Sequence, residues 1–282
     1  MADKKLDVHD HTVQVSGSLS IHVEEAGQGP WLLMLHAGVA DRHMWDRQWE
    51  WLSHSHRVVR WDWRGFGDTP HVPGPFSYAN DVIAIMDHLE IASALVMGCS
   101  FGGSVAIQVA IQHPTRVDGL VLVGSGVPGY QASNPPHVET LFMQADHAWE
   151  QGDTPRYMDL MEQLWLVGPN RQLADVDPVY LARARELLAR GDQPDNGAIA
   201  EDREWSALDR LSSVTVPSLI IVGDQDLPDT ISTAHYLRDT LPNARLETIA
   251  HAAHLPNLER PRHFDALLSE WLAETNPPRV TP

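Results

Sequence analysis

The chain has 282 residues, 43% of them hydrophobic, which is enough to bury a sizeable core in one large α/β domain or in a core with an inserted piece. The formal net charge of -18 argues against nucleic acid and anionic membrane surfaces as partners, because the long-range field repels both. The N-terminus has no apolar signal segment, and no run approaches the roughly 18 apolar residues of a membrane span, so we expect a cytoplasmic protein.

Short runs rich in Val, Ile and Leu alternate along the chain with longer segments of helical period. This alternation is typical of a mostly parallel sheet covered by helices on both faces, an α/β fold. The predicted strands are an N-terminal hairpin around TVQV and SIHVEE, then residues 31–35, 57–61, 94–97, 119–123, 218–222 and 245–249. The predicted helices of this core are residues 78–90, 100–114, 229–242 and 261–274.

The alternation stops between residues 127 and 212. This segment has no convincing buried strand, only helical stretches, and it is too long for a plain loop. We therefore predict an α/β core formed by residues 1–126 and 213–282, with residues 127–212 inserted as a helical cap. An insertion at one edge of such a core usually forms the roof of a pocket.

The sequence GCSFG at residues 98–102 joins a predicted strand to a predicted helix. A serine between glycines at such a junction sits on a sharp turn, where larger flanking side chains would clash. The turn presents the Ser100 hydroxyl above the sheet edge. It also directs the amide of Phe101, at the start of the helix, toward an oxygen that becomes negative during attack by Ser100. Ser100 is therefore the candidate nucleophile.

A serine nucleophile needs an imidazole to take its proton, and the imidazole needs a carboxylate to fix its tautomer. Such groups follow two later strand ends, on the edge of the sheet where Ser100 is expected. The candidates are the carboxylates Asp224, Asp226 and Asp229 and the histidines His251 and His254. Spacing alone leaves the choice among them open.

Five motifs in order resemble those of the α/β-hydrolase family, from about residue 20 to residue 272. They are HAGVADRHMW (36–45), DWRGFGDT (62–69), GCSFGG (98–103), GDQD (223–226) and HLPNLERP (254–261). The resemblance implies a catalytic triad of Ser100, Asp226 and His254. It also implies that the amides of Gly38 and Phe101 form the oxyanion hole. Ala37 departs from the family pattern, since glycine is usual there, and this change is expected to tilt or narrow the oxyanion hole.

Other residues near these motifs receive simpler interpretations. Cys99 is adjacent to the apex of the turn and is expected to be a small buried residue rather than a nucleophile. His36 and Trp165 are candidates for substrate contact. The sequences HDH (9–11) and HSH (54–56) lack the spacing of a metal site, so neither a metal nor a cofactor is expected.

The family resemblance implies a serine hydrolase that cleaves carboxylic esters or lactones of small to medium size through an acyl-enzyme at Ser100. The expected partner is a small-molecule substrate, and the expected assembly is a monomer or homodimer. Four alternatives share the fold: a C–C bond hydrolase, a perhydrolase with haloperoxidase activity, an amidase and a hydroxynitrile lyase. A further alternative, of a different class, is a ligand receptor that does not turn over.

Overall fold

A computed structural model of the chain describes residues 6–16, 18–191 and 197–275. Its strands are Val8–Gln14 (β1), Ser20–Gly27 (β2), Trp31–Leu35 (β3), Arg57–Trp61 (β4), Gly74–Phe76 (β5), Ala94–Cys99 (β6), Val117–Val123 (β7), Ala198–Ala200 (β8), Ser218–Gly223 (β9) and Ala244–Ile249 (β10). Eight of them form one sheet in the order β1-β2-β4-β3-β6-β7-β9-β10. Strand β2 pairs antiparallel with both of its neighbours, and all other pairs in this sheet are parallel.

Helices cover both faces of the sheet. They are Asp46–Leu52 (α1), Tyr78–His88 (α2), Phe101–Gln112 (α3), Pro136–Glu150 (α4), Thr154–Met161 (α5), Pro178–Leu188 (α6), Pro228–Thr240 (α7), Pro256–Glu259 (α8) and Pro261–Thr275 (α9). Alternate residues of each central strand belong to two separate hydrophobic clusters, one on each face. Strands β6 and β9 are buried at every residue, because in a parallel sheet both faces are covered. The predicted α/β fold with a mostly parallel sheet is confirmed.

The sequence did not predict the short parallel pair of β5 and β8. Each strand has only three residues, and β8 lies inside the segment for which we predicted helices alone. Neither strand contains a buried apolar run, so neither carries the pattern by which a strand is recognised. The pair covers one side of a cavity described below.

Residues 127–212, called the inserted segment here, contain helices α4 to α6 and a π-helical turn at Glu162–Val167. The segment packs on the loops that follow β9 and β10. The amide of His254 donates to the carbonyl of Trp165 at 3.3 Å. A Cβ at Gly168, where φ is +92°, would be 2.3 Å from the carbonyl oxygen of Gln225, so only glycine allows this close approach. Residues 192–196 of the predicted cap, and residues 1–5 and 276–282 of the predicted core, lie outside the described residues.

A buried ion pair joins the inserted segment to helix α8, which follows β10 and the loop of His254. The guanidinium of Arg171 donates to both carboxylate oxygens of Glu259, at 2.8 and 3.2 Å, and Glu259 is 5% exposed. Arg171 also donates to the carbonyls of Val167 and His251. Glu259 in turn accepts the amide of Ala253 at 2.7 Å, so one ion pair ties both segments together.

Among the described residues, no helix is long and apolar enough to span a membrane. The same part of the chain holds no group of three or more His, Cys, Asp or Glu side chains arranged to bind a metal ion.

We expect Arg171→Met to lower the free energy of unfolding by about 3 kcal/mol, because it leaves the Glu259 carboxylate buried without its cation. The double variant Arg171→Met/Glu259→Gln should recover part of this loss, since glutamine is neutral and still accepts the amide of Ala253. Urea denaturation measures both values. Arg183→Met, which removes a half-exposed pair with Asp46, is the control and should change the value by less than about 1 kcal/mol. If Arg171→Met were as stable as Arg183→Met, the ion pair of Arg171 with Glu259 would not have the stabilising role assigned to it here.

Candidate active site

Ser100 lies on the turn between β6 and α3, as the sequence predicted. Its backbone has φ +52° and ψ -113°, a strained conformation for a residue with a side chain. Its amide donates to the carbonyl of Val123 at 2.8 Å, which fixes the turn to the end of β7. A Cβ at Gly98 would be 2.4 Å from the carbonyl oxygen of Gly102, and a Cβ at Gly102 would be 2.4 Å from that of Leu35. The flanking glycines are therefore required by space.

His254 and Asp226 form a buried pair at the ends of β10 and β9. The Nδ1 atom of His254 lies 3.0 Å from each oxygen of Asp226, and the two residues are 1% and 2% exposed. The amide of Leu227 donates to Asp226 at 2.8 Å and helps to orient the carboxylate. When the imidazole of His254 is neutral, this contact places its one N–H proton on Nδ1, where it is donated to Asp226. The Nε2 atom then carries a lone pair that can accept a proton.

His254 and Ser100 line the same cavity. The Nε2 atom of His254 is buried and has no hydrogen-bond partner among the described residues, so the bond from the Ser100 hydroxyl is not formed in this structure. Catalytic hydrogen bonds are often long or misaligned without substrate. Both side chains line one cavity of about 390 Å³, called the serine cavity here.

Two glycines lie close to the His254–Asp226 pair: Gly124, which the sequence analysis did not single out, and Gly223, the first residue of the GDQD motif. A Cβ at Gly124, where φ is +49°, would be 3.1 Å from Oδ2 of Asp226 and 3.2 Å from Nδ1 of His254. A Cβ at Gly223 would be 2.1 Å from the carbonyl oxygen of Ala252. Both glycines directly follow predicted strands, and for Gly124 this position was the only signal in the sequence.

The other candidates for the acid and the base lie elsewhere. Asp224 is exposed, and one of its carboxylate oxygens accepts the amide of His251 at 2.7 Å. His251 is exposed as well, with a left-handed φ of +57°. Asp229 is in the first turn of α7, where it accepts the amide of Thr230. None of the three contacts the imidazole of His254.

Gly38 and Phe101, the predicted oxyanion residues, are neighbours in the structure. A Cβ at Gly38 would be 3.7 Å from the Cβ of Phe101. The amide of Phe101 is in the first turn of α3, where amides have no acceptor within the helix. Ala37 is fully buried, does not take a positive φ, and donates its amide to the sulfur of Met44 at 3.3 Å. The alanine is therefore accommodated without left-handed strain.

His36 is placed differently from the expectation of substrate contact. It is fully buried and lines neither cavity described here. Its Nε2 accepts the amide of Trp63 at 2.9 Å, so its Nδ1 carries the proton and donates to the carbonyl of Ala37 at 2.8 Å. Burial lowers the pKa of His36 and keeps it neutral. Its position is that of a brace for the loop that carries Gly38.

Trp165 contacts the imidazole directly. Its ring centroid is 4.4 Å from that of His254, and it lies in the π-helical turn, a feature frequent at functional sites. Its indole Nε1 is buried without a hydrogen-bond partner in the described chain, and the residue lines the serine cavity. The candidate for substrate contact therefore lies at the cavity wall.

Cys99 lies beneath the site, in the hydrophobic cluster on one face of the sheet. It is fully buried, and its sulfur donates to the carbonyl of His254 at 3.8 Å. Burial raises the pKa of the Cys99 thiol well above its usual value, and the nearby charge of Asp226 adds to this shift. A neutral, enclosed thiol is not a nucleophile, in agreement with the sequence interpretation.

A second cavity of about 530 Å³ adjoins the oxyanion residues and was not foreseen. Gly38 and Phe101 line it, and so do residues of β5 and β8. Its aromatic walls are formed by Phe66, Phe76, Tyr78, Phe101 and Trp205. We call it the aromatic cavity. Its lining residues are spread between positions 38 and 205 of the chain, and for this reason no local pattern predicted it.

We expect the buried His36 to make stability fall with acid. Because burial depresses its pKa below the ordinary value of about 6.5, the unfolded chain binds more protons below that pH, at up to about 1.4 kcal/mol per pH unit. The melting temperature of His36→Gln should therefore fall less between pH 7.5 and 5.5 than that of the wild type. His147→Gln, at an exposed histidine, is the control. Equal falls in all three proteins would refute this account.

A family model described as alpha/beta hydrolase fold matches residues 30–261. The chain is 31% identical over 260 residues to a pimeloyl-(acyl-carrier protein) methyl ester esterase from Nitrosomonas europaea, which covers 87% of this chain and 96% of that protein. It is 27% identical over 277 residues to a 2-hydroxymuconate semialdehyde hydrolase from a Pseudomonas species, covering 93% of each.

Among solved structures, the chain resembles an enol-lactonase from Burkholderia xenovorans. The TM-score is 0.76 and the sequence identity 25%, over 94% of this chain and all of that chain (100%). The matched range covers well over half of the sequence and includes the turn at Ser100 and the two loops after β9 and β10. The chain therefore belongs to the α/β-hydrolase family.

Proposed function

We propose that this α/β-hydrolase cleaves ester or lactone bonds of small molecules with Ser100, His254 and Asp226 as its catalytic triad. The observation that carries the proposal is the buried Asp226–His254 pair, whose unpartnered Nε2 lines the same cavity as Ser100. An imidazole held in this tautomer is a general base for an adjacent hydroxyl. The curated relatives include a protein named as an esterase, which agrees with ester hydrolysis.

In the first half of the reaction, Ser100 Oγ attacks the substrate carbonyl carbon while His254 Nε2 takes the hydroxyl proton. Asp226 stabilises the imidazolium that forms. The carbonyl oxygen becomes negative and accepts hydrogen bonds from the amides of Phe101 and Gly38. In related sites, removing one such donor costs roughly 10²- to 10³-fold in turnover.

In the second half, His254 gives its proton to the oxygen of the leaving alcohol as the bond from carbon to that oxygen breaks. The acyl group is then esterified to Ser100. A water molecule attacks the acyl carbon while His254 takes one of its protons, and the acid leaves as Ser100 recovers its proton. For a lactone, acid and alcohol stay in one molecule.

We propose that residues 127–212 act as a cap over this site. The contacts of Trp165 with the ring and backbone of His254 and the ion pair of Arg171 with Glu259 support this role. The cap and the β5–β8 pair then enclose the acyl and alcohol groups of the substrate. A cytoplasmic location and a monomeric or homodimeric state remain predictions.

A C–C bond hydrolase is the alternative favoured by the Pseudomonas relative, whose name describes a semialdehyde hydrolase. A C–C bond hydrolase would use the same two groups, the Ser100 hydroxyl and the His254 imidazole. We favour ester cleavage because the esterase relative is more similar in sequence, at 31% against 27% identity.

A fluorophosphonate probe should label the wild-type protein once, on Ser100, and should label neither Ser100→Ala nor His254→Ala. Intact mass followed by peptide mapping measures this. Iodoacetamide should leave Cys99 unmodified in the folded protein and modify it in urea, because the thiol is buried and neutral. A probe adduct on any other residue, or no adduct on folded protein, would count against the triad and favour the receptor alternative.

Asp226→Asn should lower kcat for p-nitrophenyl butyrate by about 10⁴-fold, because the amide no longer holds the imidazole in the required tautomer. Asp224→Asn is the matched control, since this carboxylate lies two residues away and binds only loop donors. It should stay within about threefold of the wild type. Equal losses in the two variants would show that the acid has been misassigned.

A further inference from the structure

Three carboxylates line the two cavities beside Ser100. Glu139 and Asp229 line the serine cavity, and Asp202 lines the aromatic cavity. Within the described residues, neither cavity is lined by an arginine or a lysine. A substrate in either cavity therefore meets negative charge.

The carboxylates of the serine cavity bind neutral donors. Asp229 accepts from the amide and the hydroxyl of Thr230, at 2.6 and 3.3 Å, and Glu139 accepts from the amide of Asn134 at 3.3 Å. The side-chain oxygen of Asn134 also accepts the backbone amide of Asp229 at 3.1 Å, so the two acidic residues are linked through the backbone and side chain of Asn134. These bonds stabilise the carboxylates and leave their charge in place.

The carboxylate of the aromatic cavity is held in a similar way. Asp202 accepts the side-chain amide of Gln108 at 2.9 Å and the backbone amide of Ala79 at 3.4 Å. Both donors are neutral. Gln108 lines the cavity as well, so this polar pair forms part of the wall of a cavity that is otherwise lined mainly by aromatic and small residues.

Arginines close to these loops are committed to other carboxylates. Arg64 pairs with Asp81, Arg42 with Asp62, and Arg171 with Glu259, and in each pair both side chains are at most 9% exposed. Releasing any of them toward a substrate would leave a buried carboxylate without its cation, which is costly.

Two residues that line the serine cavity have buried nitrogen atoms without a hydrogen-bond partner among the described residues. The Nε2 atom of His254, a residue 1% exposed, is buried without a partner among the described residues, and so is the indole Nε1 of Trp165. Both residues line the cavity that Glu139 and Asp229 share. A bound substrate therefore lies within the field of these carboxylates.

We propose that the site selects its esters by charge, accepting uncharged and cationic substrates and discriminating against substrates that carry a carboxylate of their own. Glu139, Asp202 and Asp229 are the residues that determine this specificity. The inference rests on the proposed function of Ser100. At roughly 7 Å, one carboxylate disfavours an anion by about 3- to 50-fold for effective dielectric constants between about 80 and 20.

Three p-nitrophenyl esters of matched length test this. They are the monoester of adipic acid, which is an anion, its methyl ester, which is neutral, and the ester of 6-(trimethylammonio)hexanoic acid, which is a cation. Rates are corrected for spontaneous hydrolysis at pH 7.5. We expect kcat/KM for the anionic ester to be at least about tenfold below kcat/KM for the neutral ester. The value for the cationic ester should equal or exceed the value for the neutral ester.

Variants identify the charges responsible. The triple variant Glu139→Gln/Asp202→Asn/Asp229→Asn should reduce the difference between neutral and anionic esters to about twofold. Asp146→Asn, an exposed residue of α4 that lines neither cavity, should leave it unchanged. In the wild type, 0.5 M NaCl should narrow the difference through screening, and this measurement remains available if the triple variant does not fold.

The outcomes separate the two proposals. Equal hydrolysis of the anionic and neutral esters, or a difference that neither the variants nor salt reduce, overturns the charge inference while Ser100-dependent turnover of the neutral ester persists. Absence of that turnover, or its survival in Ser100→Ala, overturns the proposed function itself.

Discussion

The close approach of three strand ends to the loops around them, which leaves little or no room for a Cβ atom, is the constraint on which the candidate site depends. Gly98 allows the turn at Ser100 to fold back on α3, Gly124 leaves room for the Asp226–His254 pair, and Gly223 lets the two loops carrying that pair touch. The sheet supplies this edge because parallel strands end on the same side. The chemistry therefore follows from backbone packing, and the functional side chains occupy the positions that the packing leaves.

The sheet and the candidate reactive groups could be predicted from the sequence because the signals for both are local. Ser100 stands in a five-residue pattern at a strand-to-helix junction, and Asp226 and His254 follow strands with clear apolar runs. The choice of Asp226 over Asp224 needed the family resemblance, since both follow the same strand; the structure distinguishes them by burial and by contact with His254. The aromatic cavity could not be predicted, because its walls join when β5 and β8 pair, and that contact is long-range.

The inserted segment contacts both loops that the proposed chemistry requires. At one end, Arg171 and the carbonyl of Trp165 hold the loop of His254. At the other end, the guanidinium of Arg190 donates to buried Asp41 in the loop that follows Gly38. The backbone carbonyl of Arg190 accepts the amide of Gly67. A segment fixed at two such points restrains the base and the oxyanion donors relative to one another. Preorganised groups of this kind stabilise a transition state without reorganising during the reaction.

The distribution of charge extends this view from the fold to the substrate. The net charge of -18 argues against nucleic acid as a partner. The effect of this charge on a small substrate depends on where the carboxylates lie. Buried ones such as Asp62, Asp81 and Glu259 have an arginine in contact, whereas those facing the two cavities bind neutral donors. Ester hydrolysis converts a neutral acyl group into an anion inside these cavities. The same charges that disfavour an anionic substrate therefore also disfavour the bound acid product and favour its release.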